Sequence, residues 1–173
     1  GKIIKNGIFK NLWIQPAAGD AGGSLGAALA FWHQELGNKR NPSLTHDEMS
    51  GSYLGPSFDN SQTENSLKSL GASYEKRSDE DLISLIAKEI NNGKIVGWFQ
   101  GRMEFGPRAL GARSIIADAR SEKMQKELNL KIKFRESFRP FAPSVLREDL
   151  NDWFELNCDS PYMSLVSNVK KNI

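Results

Sequence analysis

The chain has 173 residues, 39% of them hydrophobic, with 23 Lys/Arg against 21 Asp/Glu and a net charge of +2. That is enough apolar bulk for a core, no run reaches the roughly 18–20 apolar residues of a membrane span, and the start, GKIIKNGIFKN, lacks the apolar centre of a signal peptide. The single cysteine, Cys158, excludes an internal disulfide, and a reducing cytoplasm is the expected setting.

In chain order, LWIQPAAGDAGGSLGAALAFWHQELG predicts a short strand, a Gly/Ala turn over residues 19–23 and a helix over about residues 24–36 that Gly37 stops. Residues 38–58 are rich in Pro, Gly and Ser without a sustained period and read as a connector. Ser61 with Glu64 forms a capping-box pattern for a short helix, and Ser78 followed by three acids marks the start of another. In that second helix Leu82, Ile83, Leu85, Ile86 and Ile90 recur at helical spacing and are expected to pack on a sheet. KIVGWFQ and RSIIADA predict strands, the first of them buried; SEKMQKELN predicts a helix, and FAPSVL a third strand introduced by Pro140. Helices alternating with strands predict an α/β or α+β class.

Positive charge is concentrated. Residues 101–147 hold eleven Lys/Arg against five Asp/Glu, a local +6 in a chain that is −4 elsewhere, which points to a discrete anionic ligand or a nucleic-acid patch. GRMEFGPRALGARS, residues 101–114, interleaves Arg102, Arg108 and Arg113 with glycines at 101, 106 and 111, which let backbone N–H groups approach an anion closely. KIKFRESFR adds Lys131, Lys133, Arg135 and Arg139. If residues 131–135 are extended, Lys131, Lys133 and Arg135 share one face, and a turn at Ser137 returns Arg139 to it. Arg supplies a planar fork for two phosphate oxygens, and Lys a mobile point charge.

Other readings fit the same residues. The basic loops suit a merely solvated face; Phe105, Phe134, Phe138 and Phe141 among cations suit RNA stacking; the glycines suit turns alone. Glu104 is expected to pair with an arginine of its own loop. His33 and His46 lack ligand spacing, and Cys158 reads as a small buried or half-buried side chain rather than a nucleophile.

GRMEFGPRALGARSIIADAR followed by KIKFRESFRPFAPSVL closely resembles the carboxy-terminal region of the O-carbamoyltransferases of the nodulation-factor (NodU) and cephalosporin or aminoglycoside antibiotic type, and QPAAGDAGGSLGAAL resembles the end of the catalytic domain before it. The resemblance implies an α/β fold, a YrdC-like twisted mixed sheet with packed helices over residues 59–173. Ahead of it would come the strand-turn-helix tail of an ASKHA-like (actin/hexokinase-like) domain over residues 1–37 and a connector over residues 38–58. It implies that the YrdC-like part binds carbamoyl phosphate as donor and ATP, makes carbamoyladenylate, and works with its own ASKHA-like domain, which passes the carbamoyl group to a hydroxyl of a small-molecule acceptor. By motif position Arg102, Arg108, Lys131, Lys133, Arg135 and Arg139 form the anion-binding set; Gly22 and Gly23 lie against the nucleotide, and Asp20 corresponds to a ligand of a divalent metal, iron by preference, in the full-length protein. An RNA- or tRNA-binding YrdC-like module is the alternative, although the Pro and glycines of EFGPRALG suit a rigid anion pocket better than a groove for nucleic acid.

Two family features are not matched. The HxxxH metal-ligand spacing has no counterpart, and the chain stops at SLVSNVKKNI, ahead of the family's terminal His-Val-Asp-Gly-Thr-Ala-Arg segment. The expectation is therefore an excised carboxy-terminal piece of a carbamoyltransferase, inactive alone, with Asp20 serving here as a turn or helix-cap residue beside Ser24.

Overall fold

The computed structural model describes residues 1–43 and 45–171; Leu44 of the expected connector, and Asn172 and Ile173 at the end of the expected carboxy-terminal part, lie outside the described residues. In chain order the helices and strands are α1 (Lys2–Lys5), α2 (Asp20–Ala30, continued as a π-helical turn over Phe31–Glu35), α3 (Asn60–Ser69), α4 (Asp79–Asn91), β1 (Val96–Phe99), β2 (Arg113–Ile116), α5 (Met124–Glu127, continued as a π-helical turn over Leu128–Ile132) and α6 (Leu150–Trp153). They belong to two compact units: one takes residues 1–55, 103–110 and those from 144 onward, the other residues 56–102 and 111–143. Among the described residues no helix is long and apolar enough to cross a membrane.

The class is mixed α/β, as expected, but the sheet is smaller. β1 and β2 pair antiparallel, from Val96 opposite Ile116 to Phe99 opposite Arg113, and no further strand joins them among the described residues. Pro140 and Pro143 bracket the start of FAPSVL and remove two ladder donors, and that segment runs as irregular chain. LWIQ likewise forms no strand; Leu12, Trp13 and Ile14 are exposed. β1 is half-buried rather than buried: Val96 and Trp98 face inward, while Phe99 is 60% exposed.

Helix boundaries follow their caps. α4 begins where expected, the Ser78 hydroxyl accepting the Asp81 N–H at 3.2 Å with Asp79, Glu80 and Asp81 in the first turn. Its Leu82, Leu85, Ile86 and Ile90 are half-buried and Ile83 is 62% exposed, but among the described residues no helix packs broadly on the strand pair. Instead Arg120 forks Asp118, just past β2, at 2.9 and 2.8 Å and reaches the Asn91 side chain at the end of α4 at 2.8 Å. α3 is capped two residues earlier than its Ser61/Glu64 pattern predicts. The Asp59 carboxylate accepts the Gln62 N–H at 2.7 Å, and the Gln62 side chain accepts the Asp59 N–H at 3.0 Å. Ser61 donates its hydroxyl to the Asp59 carboxylate, since an anion is the stronger acceptor at a helix N-terminus. Glu64, released from capping, accepts from Lys68 at 2.7 Å and Lys76 at 3.3 Å.

The first unit turns on Ala17, a non-glycine residue at φ +51°. Its carbonyl accepts the Gly22 N–H at 2.7 Å, and a methyl group at position 22 would stand 2.4 Å from that oxygen. From the other side Gly106, at φ +99°, comes so close that a methyl there would stand 2.3 Å from the Ala17 methyl. α2 starts earlier than expected, at Asp20, because Gly22 lets the first turn close on Ala17. Gly37, at φ +68°, follows its end as predicted.

These contacts set two expectations. Gly22→Ala forces carbonyl and methyl apart and is expected to destabilise the chain by about 1–3 kcal/mol. Gly23→Ala, one position along the same helix with nothing within 4 Å of the new methyl, is expected to stabilise it by about 0.5–1 kcal/mol; chemical unfolding of the two variants gives both signs. Separately, hydrogen bonds from Lys68 and then Lys76 hold the Glu64 carboxyl at about 2, below its ordinary 4.5. Because the folded value is depressed, the pairing contributes stability above about pH 4.5 and loses it as pH falls toward about 2. An NMR titration should place Glu64 near the lower value, and Lys68→Met should raise it.

Candidate functional site

The glycine-punctuated stretch connects β1 to β2 and is built from both ends. At its base, Gly101 (φ +57°) and Gly111 (φ +110°) take the left-handed backbone that their lack of a Cβ permits. Arg113 is structural. Its guanidinium lies 3.3 Å from the Phe99 ring centroid and donates to the carbonyls of Gln100, Gly101 and Ala112 at 2.9–3.2 Å, knotting the two strands where the loop leaves them. Phe99 is thus an exposed strand residue with a cation laid on its face.

Over residues 103–110 the loop belongs to the first unit and lies against residues 52–55. The Phe105 N–H donates to the Ser52 carbonyl at 2.6 Å, the Gly55 N–H to the Met103 carbonyl at 2.9 Å, and the Tyr53 hydroxyl to the Leu110 carbonyl at 2.5 Å. Glu104, only 6% exposed, accepts the Leu110 N–H at 2.7 Å, so its carboxylate closes the loop on itself. The tip, residues 106–109, is left exposed and carries Arg108. Arg102, at the start of the loop, is exposed as well.

The second basic tract is organised differently from its expected extended form. Residues 128–132 wind as a π-helical turn, with the Lys133 N–H on the Leu128 carbonyl at 2.9 Å, so Lys131, Lys133 and Arg135 do not line up by a period of two. The winding buries Asn129 completely. Its side-chain amide donates to the carbonyls of Ser137 at 3.2 Å and Arg139 at 2.8 Å, its side-chain oxygen accepts from Arg135 Nε at 2.6 Å, and its backbone carbonyl accepts the Arg135 N–H at 3.0 Å. Gln125 adds donors to the carbonyls of Phe138 and Arg139. All six of these bonds converge on a loop in which Phe134 holds φ +49°. Arg135 is therefore oriented from behind: its Nε is taken by Asn129, its plane lies 4.8 Å from the Phe141 ring centroid, and among the described residues its two terminal nitrogens make no hydrogen bond to the protein.

The other basic residues of this tract are engaged differently. Arg139 pairs with Glu136 at 2.7 Å, Lys131 with Glu127 at 3.5 Å one turn back, and Lys133 caps the π-helical turn, exposed. Lys123, Lys126 and Lys131, with Glu127 and Leu130, border a surface depression of about 380 Å³. Gly22 is explained by Ala17, and Gly23 has open space where a side chain would stand. Asp20 is exposed in the first turn of α2, whose N-cap is Gly19. It offers a cation one carboxylate, and among the described residues no group of three or more His, Cys, Asp or Glu side chains converges; the residues present do not make a metal site. The His33 ring bonds the Asn38 carbonyl at 2.7 Å, His46 bonds the Ser43 and Thr45 hydroxyls, and Cys158 is half-buried. Asn129, Ser52 and Tyr53 have no signature in the sequence, since an Asn within an amphipathic pattern and a Ser-Gly-Ser turn read as surface.

The chain is thus of mixed α/β class, with two arginine-bearing loops anchored through buried polar groups, and comparisons with known proteins identify its family. The carbamoyltransferase C-terminus family model matches residues 87–173 and the carbamoyltransferase N-terminus model matches residues 1–29. The chain belongs to the carbamoyltransferase family. It is 57% identical over its whole length to an uncharacterized protein of Synechocystis, and 41% identical over 99% of its length both to nodulation protein NolNO of Sinorhizobium fredii and to nodulation protein NolO of Bradyrhizobium diazoefficiens. It spans 28%, 25% and 31% of those three relatives.

Asn129 gives a direct test of the loop architecture. Asn129→Asp keeps the acceptor for Arg135 but sets a carboxylate against two carbonyl oxygens, and Asn129→Ala leaves them unpaired. Each is expected to lower stability by about 2–3 kcal/mol in urea unfolding, with the aspartate no better than the alanine.

Proposed function

We propose that this chain is the nucleotide- and donor-handling part of an O-carbamoyltransferase, in which carbamoyl phosphate and ATP yield carbamoyladenylate and the carbamoyl group then passes to a hydroxyl of a sugar or natural product. The observation that carries the reading is Arg135. It lies within the stretch that matches the family's carboxy-terminal model and is aimed by a fully buried amide, its forked end turned to no group of the described protein. In this reading residues 59–173 are the YrdC-like part and residues 1–37 the end of an ASKHA-like domain, joined by residues 38–58, in a protein of the cytoplasm.

The chemistry suits a basic site. Carbamoyl phosphate first gives up its phosphate to water, leaving carbamate and inorganic phosphate. Carbamate and ATP are both anions and repel each other, and a carbamate oxygen must then reach the α-phosphorus, forming the new P–O bond as the bond to pyrophosphate breaks and pyrophosphate departs with its charge. Positioning and charge neutralisation are the services required. Arg135, with its Nε already bonded and its plane on Phe141, loses little freedom on gripping phosphate oxygens through its terminal nitrogens. Arg102, Lys131, Lys133 and Arg139, in the same unit as Arg135, raise the potential there; Arg108, on the anchored loop of the other unit, is a separate anion donor. The RNA alternative has an observation of its own, because Phe134 and Phe138 are 84% and 77% exposed among these cations. A titration with oligouridylate in low and high salt distinguishes it: the carbamoyltransferase reading expects no binding that survives physiological salt.

Arg135→Ala is expected to weaken ATP binding about ten- to hundredfold, the value of one charge-assisted, bidentate contact. Arg135→Lys keeps the charge without the fork and should recover only part of it. Calorimetry on this chain measures affinity, and carbamoyl phosphate-dependent pyrophosphate release by a polypeptide of full family length measures turnover. Parental ATP affinity in a folded Arg135→Ala chain would remove the assignment.

A further inference from the structure

Residues 50–52 form a turn that an ordinary chain avoids. Ser50, Gly51 and Ser52 have φ of +49°, +70° and +65°, so three successive residues, two of them with side chains, have left-handed φ. Such strain persists where surrounding contacts over-determine it, and it is commonest where a function needs the geometry. Here the contacts come from Tyr162 and Asp47. The Tyr162 hydroxyl accepts the Gly51 N–H at 3.2 Å and donates to the Asp47 carboxylate at 2.6 Å; the same carboxylate oxygen accepts the Met49 N–H at 2.8 Å. Trp13 meets the Tyr162 ring edge-on at 6.2 Å, and Tyr162, Met49 and Ser52 are 9%, 6% and 1% exposed. Burial foremost, and then the Asp47 contact, push the Tyr162 phenol above its ordinary value, so the hydroxyl keeps its proton to donate.

The turn has one outward consequence. Its last carbonyl, that of Ser52, receives the Phe105 N–H, and just beyond it Gly55 and Tyr53 hold the loop at Met103 and Leu110 respectively. We infer that Tyr162, through Asp47 and the left-handed turn it clamps, is a positioning residue for the anion-binding loop that carries Arg108. Tyr162 touches no ligand; it fixes where Ser52 presents its carbonyl, and hence where Arg108 stands. Asp47 and Ser52 lie between the stretches matched by the family's two models, and Tyr162 lies within the second. The inference rests on Arg108 being an anion donor, as proposed above.

The test uses inorganic pyrophosphate as probe, titrated calorimetrically into this chain. Arg108→Ala should weaken binding. Tyr162→Phe, which removes only the hydroxyl, should weaken it about five- to tenfold, have no further effect in the Arg108→Ala background, and speed hydrogen exchange at the Phe105 and Leu110 amides. Asp47→Ala should behave like Tyr162→Phe and serves if that variant folds poorly, while Asp47→Asn, which keeps an acceptor oxygen, should stay within about twofold of the parent. A Tyr162→Phe chain that binds like the parent, or loses the same factor whether or not Arg108 is present, overturns the positioning role, as does an Asp47→Asn chain as weak as Asp47→Ala. If Arg108→Ala binds like the parent, the anion-donor reading of Arg108 is what fails, and the positioning role falls with it.

Discussion

Backbone amides and carbonyls that lie outside a helix or a ladder must find partners elsewhere, and that constraint governs most of this chain. The described sheet has two strands of four residues, so the long stretches around it have no ladder to join. They are closed by other means. A serine carbonyl and a glutamate side chain hold the loop of residues 103–110, and a buried asparagine amide holds residues 134–139. The arginines stand on exposed loops, but the atoms that place those loops are among the most buried in the chain: Asn129 at 0%, Ser52 at 1% and Glu104 at 6%.

This arrangement divides the positive residues into those that build and those that are presented. Arg113 and Arg120 are spent internally, the first on three carbonyls and a phenyl ring, the second on Asp118 and Asn91. Arg135 plays both roles: Nε builds and the two-nitrogen fork is presented. A count of charge cannot separate them, because the distinction lies in which carbonyls happen to be nearby.

What the sequence discloses follows the same boundary. Features set by neighbouring residues were legible: the Ser78 cap, Gly37 beyond the first long helix, the strand pair on either side of the glycine loop, and the motifs that mark the family. Those set by distant residues were not. The capping box moved to Asp59 and Gln62 because a carboxylate two residues upstream outcompetes a serine hydroxyl. Residues 131–135 would present three cations on one face if extended, yet residues 128–132 wind helically, and the Asn129 side chain and carbonyl both bond the loop beyond. Tyr162 meets Asp47 across 115 positions of sequence, a separation no local pattern spans.

Ala17 has one further implication, for how sequences of this type can change. Its methyl and the vacant β-position of Gly106 occupy the same small volume, and its carbonyl fills the corresponding space beside Gly22. Three residues, two from the stretch matched at the start of the chain and one from the stretch matched at its end, thus share a single allotment of space. A side chain gained at 106 has to be matched by a loss at 17 or by a displaced loop tip. Substitutions at the two positions should therefore be inherited in pairs, so that a lineage drifting at one site carries the compensating change at the other, 89 residues away.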